Sequence, residues 1–199
     1  MALKRSLIGR LLSPPRPGRK FIWRDETGAV AVEFAILALP FFTLIFAILE
    51  TAIVFLAGQI LDAAVHDASR KIRTGQAQQA SWDLAAFRTQ VCDRLYGMFD
   101  CTGLRLKIEE VSTFSSVGAA ITSPIDENCM PDGDPEEDCD WVIVEEFTPG
   151  AGSPEPSVVL VQVYYKWPTL VNLPGFNLAT QAGNTRLLSA VRVLRNEPF

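Results

Sequence analysis

The chain has 199 residues, of which 18 are basic and 23 are acidic, so its formal net charge at pH 7 is −5. This balance excludes a globally basic nucleic-acid-binding protein, and the length allows one ordinary domain with an additional segment. A single histidine argues against a histidine-rich metal site and against a Ser-His-Asp relay with a histidine to spare.

The charges are distributed unevenly along the chain. Residues 1–28 contain seven basic and two acidic residues, which is a net charge of +5. Residues 29–199 contain 11 basic and 21 acidic residues, which is a net charge of −10. An apolar run over residues 29–58 follows the basic head, and its only charged residues are Glu33 and Glu50.

The first predicted element is a membrane-crossing helix. Residues 29–49 are long enough to cross a bilayer, which needs about 20 apolar residues. A secretory signal peptide has an apolar core of only about 7–15 residues and a small-residue cleavage site after it, and this run fits neither feature. A buried helix of a soluble protein would not explain the basic cluster before the run. We therefore predict a retained membrane helix, with the basic head in the cytoplasm and the remaining chain translocated.

Two residues within the apolar run are unusual. Glu33 places a carboxylate near the edge of the hydrocarbon, where it is costly unless it is paired or protonated. The alternative is an interfacial glutamate that reaches water and has no special role. Pro40 lacks a backbone N–H, so it can kink or locally open the helix.

Helical spacing continues beyond the apolar run, to about Arg73. The predicted apolar stripe consists of Leu56, Ile60, Ala64, Ala68 and Ile72. Thr74 and Gly75 are predicted to end this helix, which is then about 65 Å long and forms a stalk. His66 lies on this helix and is predicted to be a surface residue.

A second helix is predicted over residues 82–98, with Ser81 as its N-cap and an apolar core face of Leu84, Phe87, Val91 and Leu95. Strands are predicted at residues 104–111, 141–144, 158–165 and 185–194, with long connections at 148–156 and 168–183. Helices followed by strands predict an α+β fold, in which a small antiparallel β-sheet packs on the stalk helix.

The four cysteines form two close pairs in the chain, Cys92 with Cys101 and Cys129 with Cys139. Their even number and predicted export favour disulfides, and the two local bridges are preferred among three possible connectivities. A zinc site is disfavoured because zinc-binding pairs are usually about two to four residues apart, so no metal site is expected from these cysteines.

Residues 126–140 form a strongly acidic stretch with interleaved proline and glycine. The alternating oxygen donors Asp132, Asp134 and Glu136 resemble part of a calcium loop. The full pattern is absent, since neither the expected glycine nor the closing glutamate follows Asp132 at the required spacing. A solvated acidic loop closed by Cys129 and Cys139 is therefore the preferred interpretation, with calcium binding as the alternative.

Catalytic motifs are absent from the sequence. We find no nucleophile elbow, phosphate-binding loop or zinc-protease motif, and the single histidine lies on a helix. We therefore expect that the chain is not an enzyme and has no cofactor.

The segment ETGAVAVEFAILALPFF, residues 26–42, resembles the N-terminus of TadE-like pseudopilins of the bacterial tight-adherence (Tad, or Flp) pilus systems, which are similar to type IV pili. The resemblance rests on Gly28, the following small and apolar residues, the Glu33-Phe34 pair, Pro40 and Glu50. It is strong over about residues 27–75 and weak beyond them.

The resemblance implies that a prepilin peptidase cuts between Gly28 and Ala29, which would remove the basic head. It also implies that Glu33 and Phe34 act in subunit assembly, with the Glu33 carboxylate pairing with the new amino group of a neighbouring subunit. The implied organisation is a cytoplasmic leader at residues 1–28, a transmembrane and stalk helix at 29–75, and an extracytoplasmic α+β domain at 76–199.

The resulting hypothesis is a minor pseudopilin that acts in assembly or initiation of a tight-adherence pilus and hence in cell adhesion. Its expected partners are the bacterial inner membrane, the prepilin peptidase, other pilins and pseudopilins, and the pilus assembly platform, with no nucleic acid. The N-terminus is expected in the cytoplasm and the C-terminal domain in the periplasm. The alternative is an uncleaved, membrane-anchored, extracytoplasmic binding module.

Overall fold

A computed structural model describes residues 28–126, 140–150, 157–170, 172–173, 176–181 and 183–198. Packing divides the chain into two compact units, the first ending at Thr43 and the second beginning at Leu44. The described part of the first unit is helical from Ala29, with no buried residue. Among the described residues, all the strands and the hydrophobic core lie in the second unit.

The longest element is helix α1, Ala29–Arg73, which confirms the predicted long N-terminal helix. It ends where predicted, because Gly75 adopts a left-handed conformation (φ 76°) that glycine reaches without steric cost. The N–H of Thr74 donates to the carbonyl of Arg70, and the N–H of Gly75 donates to the carbonyl of Ile72.

The predicted stripe of α1 is only partly correct. Ala64, Ala68 and Ile72 are buried, but Leu56 is exposed. The face that packs in the second unit contains Val54, Ala57, Leu61, Ala64, Val65, Ala68, Ser69 and Ile72. These positions follow the helical repeat of 3.6 residues, whereas a strict spacing of four drifts off that face.

The second predicted helix is shorter than expected. A single turn, α2 (Gln76–Gln79), precedes helix α3 (Leu84–Cys92). Asp83, rather than Ser81, is the N-cap of α3, and its Oδ1 accepts a hydrogen bond from the N–H of Ala86 at 2.7 Å. The helix ends at Cys92, and the positive φ angles of Tyr96 (51°) and Gly97 (71°) exclude a helix that continues to Met98.

The remaining elements are strand β1 (Arg105–Val111), a short helix α4 (Val117–Ala120), and strands β2 (Glu146–Phe147), β3 (Val158–Pro168), β4 (Asn172–Leu173), β5 (Phe176–Asn177) and β6 (Thr185–Arg195). The main sheet has the order β2-β1-β3-β6, and β4 pairs with β5 in a separate hairpin. The α+β class is therefore confirmed.

Two predictions about the strands were wrong. The sheet is mixed rather than purely antiparallel, since β1 pairs with β2 in parallel and with β3 in antiparallel orientation. Residues 141–144 do not form a strand: Trp141 makes only an isolated bridge with Ile125, and the strand begins at Glu146. Glu145 is instead held by Arg88, whose Nη2 lies 2.7 Å from Glu145 Oε1.

The core lies between the helices and one face of the sheet. It joins the buried face of α1 to Phe87 and Val91 of α3 and to Leu106, Ile108, Val159, Val161, Val163, Leu188 and Ala190 of the strands. Ion pairs tie α1 to the C-terminal part of the chain. Arg73 pairs with Glu197 at 2.8 Å, and Asp62 pairs with Arg192 of β6.

The opposite face of the sheet holds a buried polar chain. The hydroxyl of Tyr164 donates to Gln162 Oε1 at 2.8 Å, and Gln162 Nε2 donates to Glu109 Oε1 at 3.1 Å. Lys107 completes the chain by pairing with Glu109 at 2.9 Å. Burial raises the pKa of Tyr164, because a phenolate is poorly solvated there.

We expect Tyr164→Phe to lower the free energy of unfolding at neutral pH by about 1–2 kcal/mol, because Gln162 loses its hydrogen-bond donor. The stabilisation from the raised pKa of Tyr164 is full below the ordinary value of 10.0 and is lost as the pH rises through the folded-state value. As the pH rises above 10.0, the free energy of unfolding of the variant should therefore fall less than that of the wild type.

The measurement is urea unfolding of the full chain in mild detergent between neutral and alkaline pH. The matched control is Tyr96→Phe, because the Tyr96 side chain is largely exposed. An alkaline stability loss of equal size in wild type and Tyr164→Phe would contradict the assignment.

Candidate membrane and assembly segment

The N-terminal part of α1 presents an apolar surface that the protein itself does not cover. None of residues 29–49 is buried, although the run is almost entirely apolar. Its large exposed side chains are Val30, Val32, Phe34, Ile36, Leu37, Leu39, Phe41, Phe42, Leu44, Phe46, Ile48 and Leu49. α1 is long and apolar enough to cross a membrane, and its apolar stretch has no buried residue. The helix is therefore consistent with a single-pass membrane anchor.

The predicted processing and assembly residues lie at the start of this surface. Gly28 directly precedes α1 and is exposed, and Ala29 is the first residue of the helix. Glu33 and Phe34 follow within the next turn, both exposed. No described residue forms an ion pair or hydrogen bond with the Glu33 carboxylate, so its charge is not compensated within the described part of the chain.

Pro40 lies inside α1, and the helix continues through it. Because proline has no N–H, it cannot donate to the carbonyl of Ile36 four residues earlier. The Ile36 carbonyl in the middle of the apolar segment therefore lacks this helical hydrogen bond, and in a membrane a neighbouring helix or a local change of the backbone has to provide another donor.

Glu50 marks the place where α1 becomes covered. It is the first buried residue of the helix, with 7% of its surface exposed. The N–H of Leu170, just after β3, donates a hydrogen bond to Glu50 Oε1. In the sequence, Glu50 stands out as a charged residue in the apolar run and as part of the resemblance, but no local pattern indicates a partner 120 residues away.

Of the two predicted disulfides, one lies in the described part of the chain. Cys92 and Cys101 form a disulfide with a Cα–Cα distance of 6.0 Å, which joins the end of α3 to the turn before β1. Cys129 and Cys139 lie outside the described residues, as does the acidic stretch between Asp126 and Asp140. These two end residues lie close together, since the N–H of Asp126 donates to the carbonyl of Asp140 at 3.3 Å.

The calcium hypothesis remains a prediction, because Asp132, Asp134 and Glu136 are outside the described residues. Among the residues that are described, no three potential metal ligands are grouped together.

His66 lies on the surface, as predicted, with its Nδ1 3.6 Å from Asp67 Oδ1. Asp100 is also exposed, and its hydrogen bonds from the side chain and backbone of Thr102 lower its pKa.

Comparison with known protein families agrees with this geometry. The family model of TadE-like proteins matches residues 28–70. Over this segment the chain is similar to the TadE-like family. No curated protein and no solved structure matches the chain. The TadE-like match covers about a fifth of the sequence, begins at Gly28 and extends along most of α1. It confirms the resemblance drawn from the sequence and suggests a protein associated with the Tad pilus.

The exposed apolar surface of α1 generates a prediction about insertion. Leu39→Arg places a charge near the middle of the apolar run, where it costs about 2.5–3.5 kcal/mol on insertion scales. We expect the variant to shift from the carbonate-resistant membrane pellet to the soluble or degraded fraction. Leu39→Ile is the matched control and should remain in the pellet. Undiminished membrane retention of Leu39→Arg would contradict a bilayer-spanning role for this segment.

Proposed function

We propose that the protein is a minor TadE-like pseudopilin, which acts in assembly or initiation of a tight-adherence pilus after leader cleavage between Gly28 and Ala29. The observation that carries this proposal is the match to the TadE-like family, which begins at Gly28, together with Glu33 in the uncovered apolar helix. The major pilins of such systems are much shorter chains, so a minor subunit is the better fit.

The proposed role is one of assembly rather than catalysis. Cleavage would remove a head with a net charge of +5 and leave a chain of 171 residues that begins at Ala29. Loss of the head would lower the electrostatic barrier to extracting α1 from the bilayer. The partners in this proposal are a prepilin peptidase, other pilins and pseudopilins, and the assembly platform in the bacterial inner membrane.

Glu33 provides the physical link between subunits in this proposal. A carboxylate in an apolar helix surface is costly unless an opposite charge accompanies it. The α-amino group that cleavage creates at Ala29 of a neighbouring subunit would supply that charge. A pair of this kind selects one axial register between two helices, because any other register leaves both charges without a partner.

Processing can be tested without disturbing the fold. A Cβ atom added at Gly28 would meet no atom within 4 Å, so Gly28→Ile should leave the folded chain unchanged. A peptidase has to approach the backbone closely at this position, which a branched side chain prevents. With a prepilin peptidase co-expressed, N-terminal sequencing should give Ala29 for the wild type and Met1 for Gly28→Ile.

Gly58→Ala is the matched control, because it too adds a Cβ atom that meets nothing within 4 Å but lies elsewhere on α1. Its processing should equal that of the wild type. A mature wild-type chain that still begins at Met1 would disprove cleavage, and would favour an uncleaved anchor for an extracytoplasmic binding module.

The proposed register role of Glu33 makes a second prediction. Glu33→Gln should be cleaved normally but should be recovered with neighbouring pilin subunits at least about tenfold less, since loss of one member of a buried pair costs about 3–5 kcal/mol. The measurement is in vivo cross-linking followed by quantification of co-purified pilins and of assembled pili. Glu110→Gln, a change at an exposed glutamate of β1, is the control. Normal recovery of Glu33→Gln with pilins would rule out the register role.

A further inference from the structure

The contact between Glu50 and Leu170 lies where the covered and uncovered parts of α1 meet. The 21 residues from Ala29 to Leu49 include no buried residue, and Glu50 is the first that the fold covers. That run is about the number of residues that a helix needs to cross the hydrocarbon core of a bilayer. The domain therefore begins to pack on α1 at the point where a spanning segment would leave the hydrocarbon.

Hydrogen bonds to α1 and to Asn184 hold the backbone around Leu170 in place. Its N–H donates to Glu50 Oε1, a hydrogen bond to a carboxylate on the helix. The preceding residue, Thr169, is buried, and both its N–H and its hydroxyl donate to the carbonyl of Asn184, at 2.8 Å and 2.7 Å. Leu170 is thus fixed relative to α1 and to the loop that precedes β6.

The side chain of Leu170 nevertheless points away from the fold. It is 87% exposed, the largest exposed fraction among the large hydrophobic residues of the described part of the chain. A single exposed leucine is ordinary on a protein surface. Its attachment to Glu50 makes this one informative, because Leu49 beside Glu50 and Phe46 one turn before it are also exposed apolar residues of α1.

We propose that Leu170 is a lipid contact: Thr169 and Leu170, directly after β3, lie at the phospholipid surface from which α1 emerges, with the Leu170 side chain in the interfacial region. The Leu170 backbone is hydrogen-bonded to the residue at which the uncovered apolar run of α1 ends, and this location favours lipid over a second protein as the occupant. The Glu50 hydrogen bond would then set the height of the domain above the membrane.

This inference requires α1 to lie in a membrane, but it does not depend on leader cleavage or on any role in a pilus. A depth measurement on the full chain in phospholipid nanodiscs, at one copy per disc, tests it. A nitroxide is attached through an oxime to p-acetylphenylalanine at position 170, so that the native cysteines are untouched. Power-saturation spectroscopy then compares collisions with oxygen, which concentrates in lipid, with collisions with a water-soluble nickel chelate.

We expect the label at position 170 to collide more often with oxygen than with the nickel chelate. The matched control is the same label at position 96, since Tyr96 is 82% exposed and lies beside Ile60 and Ala63 of α1, well beyond Glu50. This label should show the opposite preference. Equal exposure to the nickel chelate at both positions would overturn the proposal.

The role of Glu50 is tested in the same discs. Glu50→Ala removes the acceptor for the N–H of Leu170, so the label at position 170 should become more mobile and more accessible to the nickel chelate. Glu50→Gln keeps an acceptor oxygen and should preserve the wild-type depth. An unchanged depth in Glu50→Ala would show that this hydrogen bond does not hold the segment at the membrane.

Two further outcomes are separable. Dipolar broadening between labels at position 170 in discs with two copies would assign Leu170 to a contact between chains and overturn the lipid assignment. A chain that does not float with phospholipid vesicles would overturn both the membrane anchor and this inference. A chain that floats but whose label stays in water overturns this inference alone, whatever the processing and pilus experiments give.

Discussion

A single helix has to satisfy two environments, and the rest of the structure depends on how it does so. α1 is apolar and uncovered over residues 29–49, and beyond them one of its faces is covered by the fold. Exposure of a continuous apolar surface of that size to water is unfavourable for a monomeric protein, so the first stretch requires contact with lipid or with the helices of partner subunits. The second stretch obtains its cover from α3 and the sheet.

The covered part of α1 is joined to the sheet by more than apolar contacts. Small residues such as Ala57, Ala64 and Ala68 are buried, which allows neighbouring elements to approach the helix closely. The ion pairs of Asp62 with Arg192 and of Arg73 with Glu197 then connect the helix to β6 and to the residues after it. Exposed pairs of this kind contribute little to stability, so the main tie is the buried apolar face.

Several elements could be predicted because their signals are local. The membrane-length run and the left-handed turn at Gly75 are properties of a few neighbouring residues, so the ends of α1 were predicted correctly. Strand β1 was predicted close to its observed position from the alternation of apolar and polar residues, and strands β3 and β6 were predicted from stretches rich in apolar residues. The same kind of signal misplaced the strand at residues 141–144, where Val142 and Val144 are exposed. A local signal does not show which residues pair with a neighbouring strand, and β1 pairs with Glu146 and Phe147 rather than with residues 141–144.

The sequence by itself determined the three-part distribution of charge and apolarity, the helix that crosses from one environment to the other, and the TadE-like segment around Gly28 and Glu33. These features are local, and a membrane-length apolar run has few structural solutions because lipid cannot satisfy an open backbone. Tertiary structure decided the parallel β1–β2 pair, the polar chain from Tyr164 to Lys107, and the contact of Glu50 with Leu170. Each joins residues far apart in the chain, and such contacts exist only once the strands have paired and α1 has packed on the sheet.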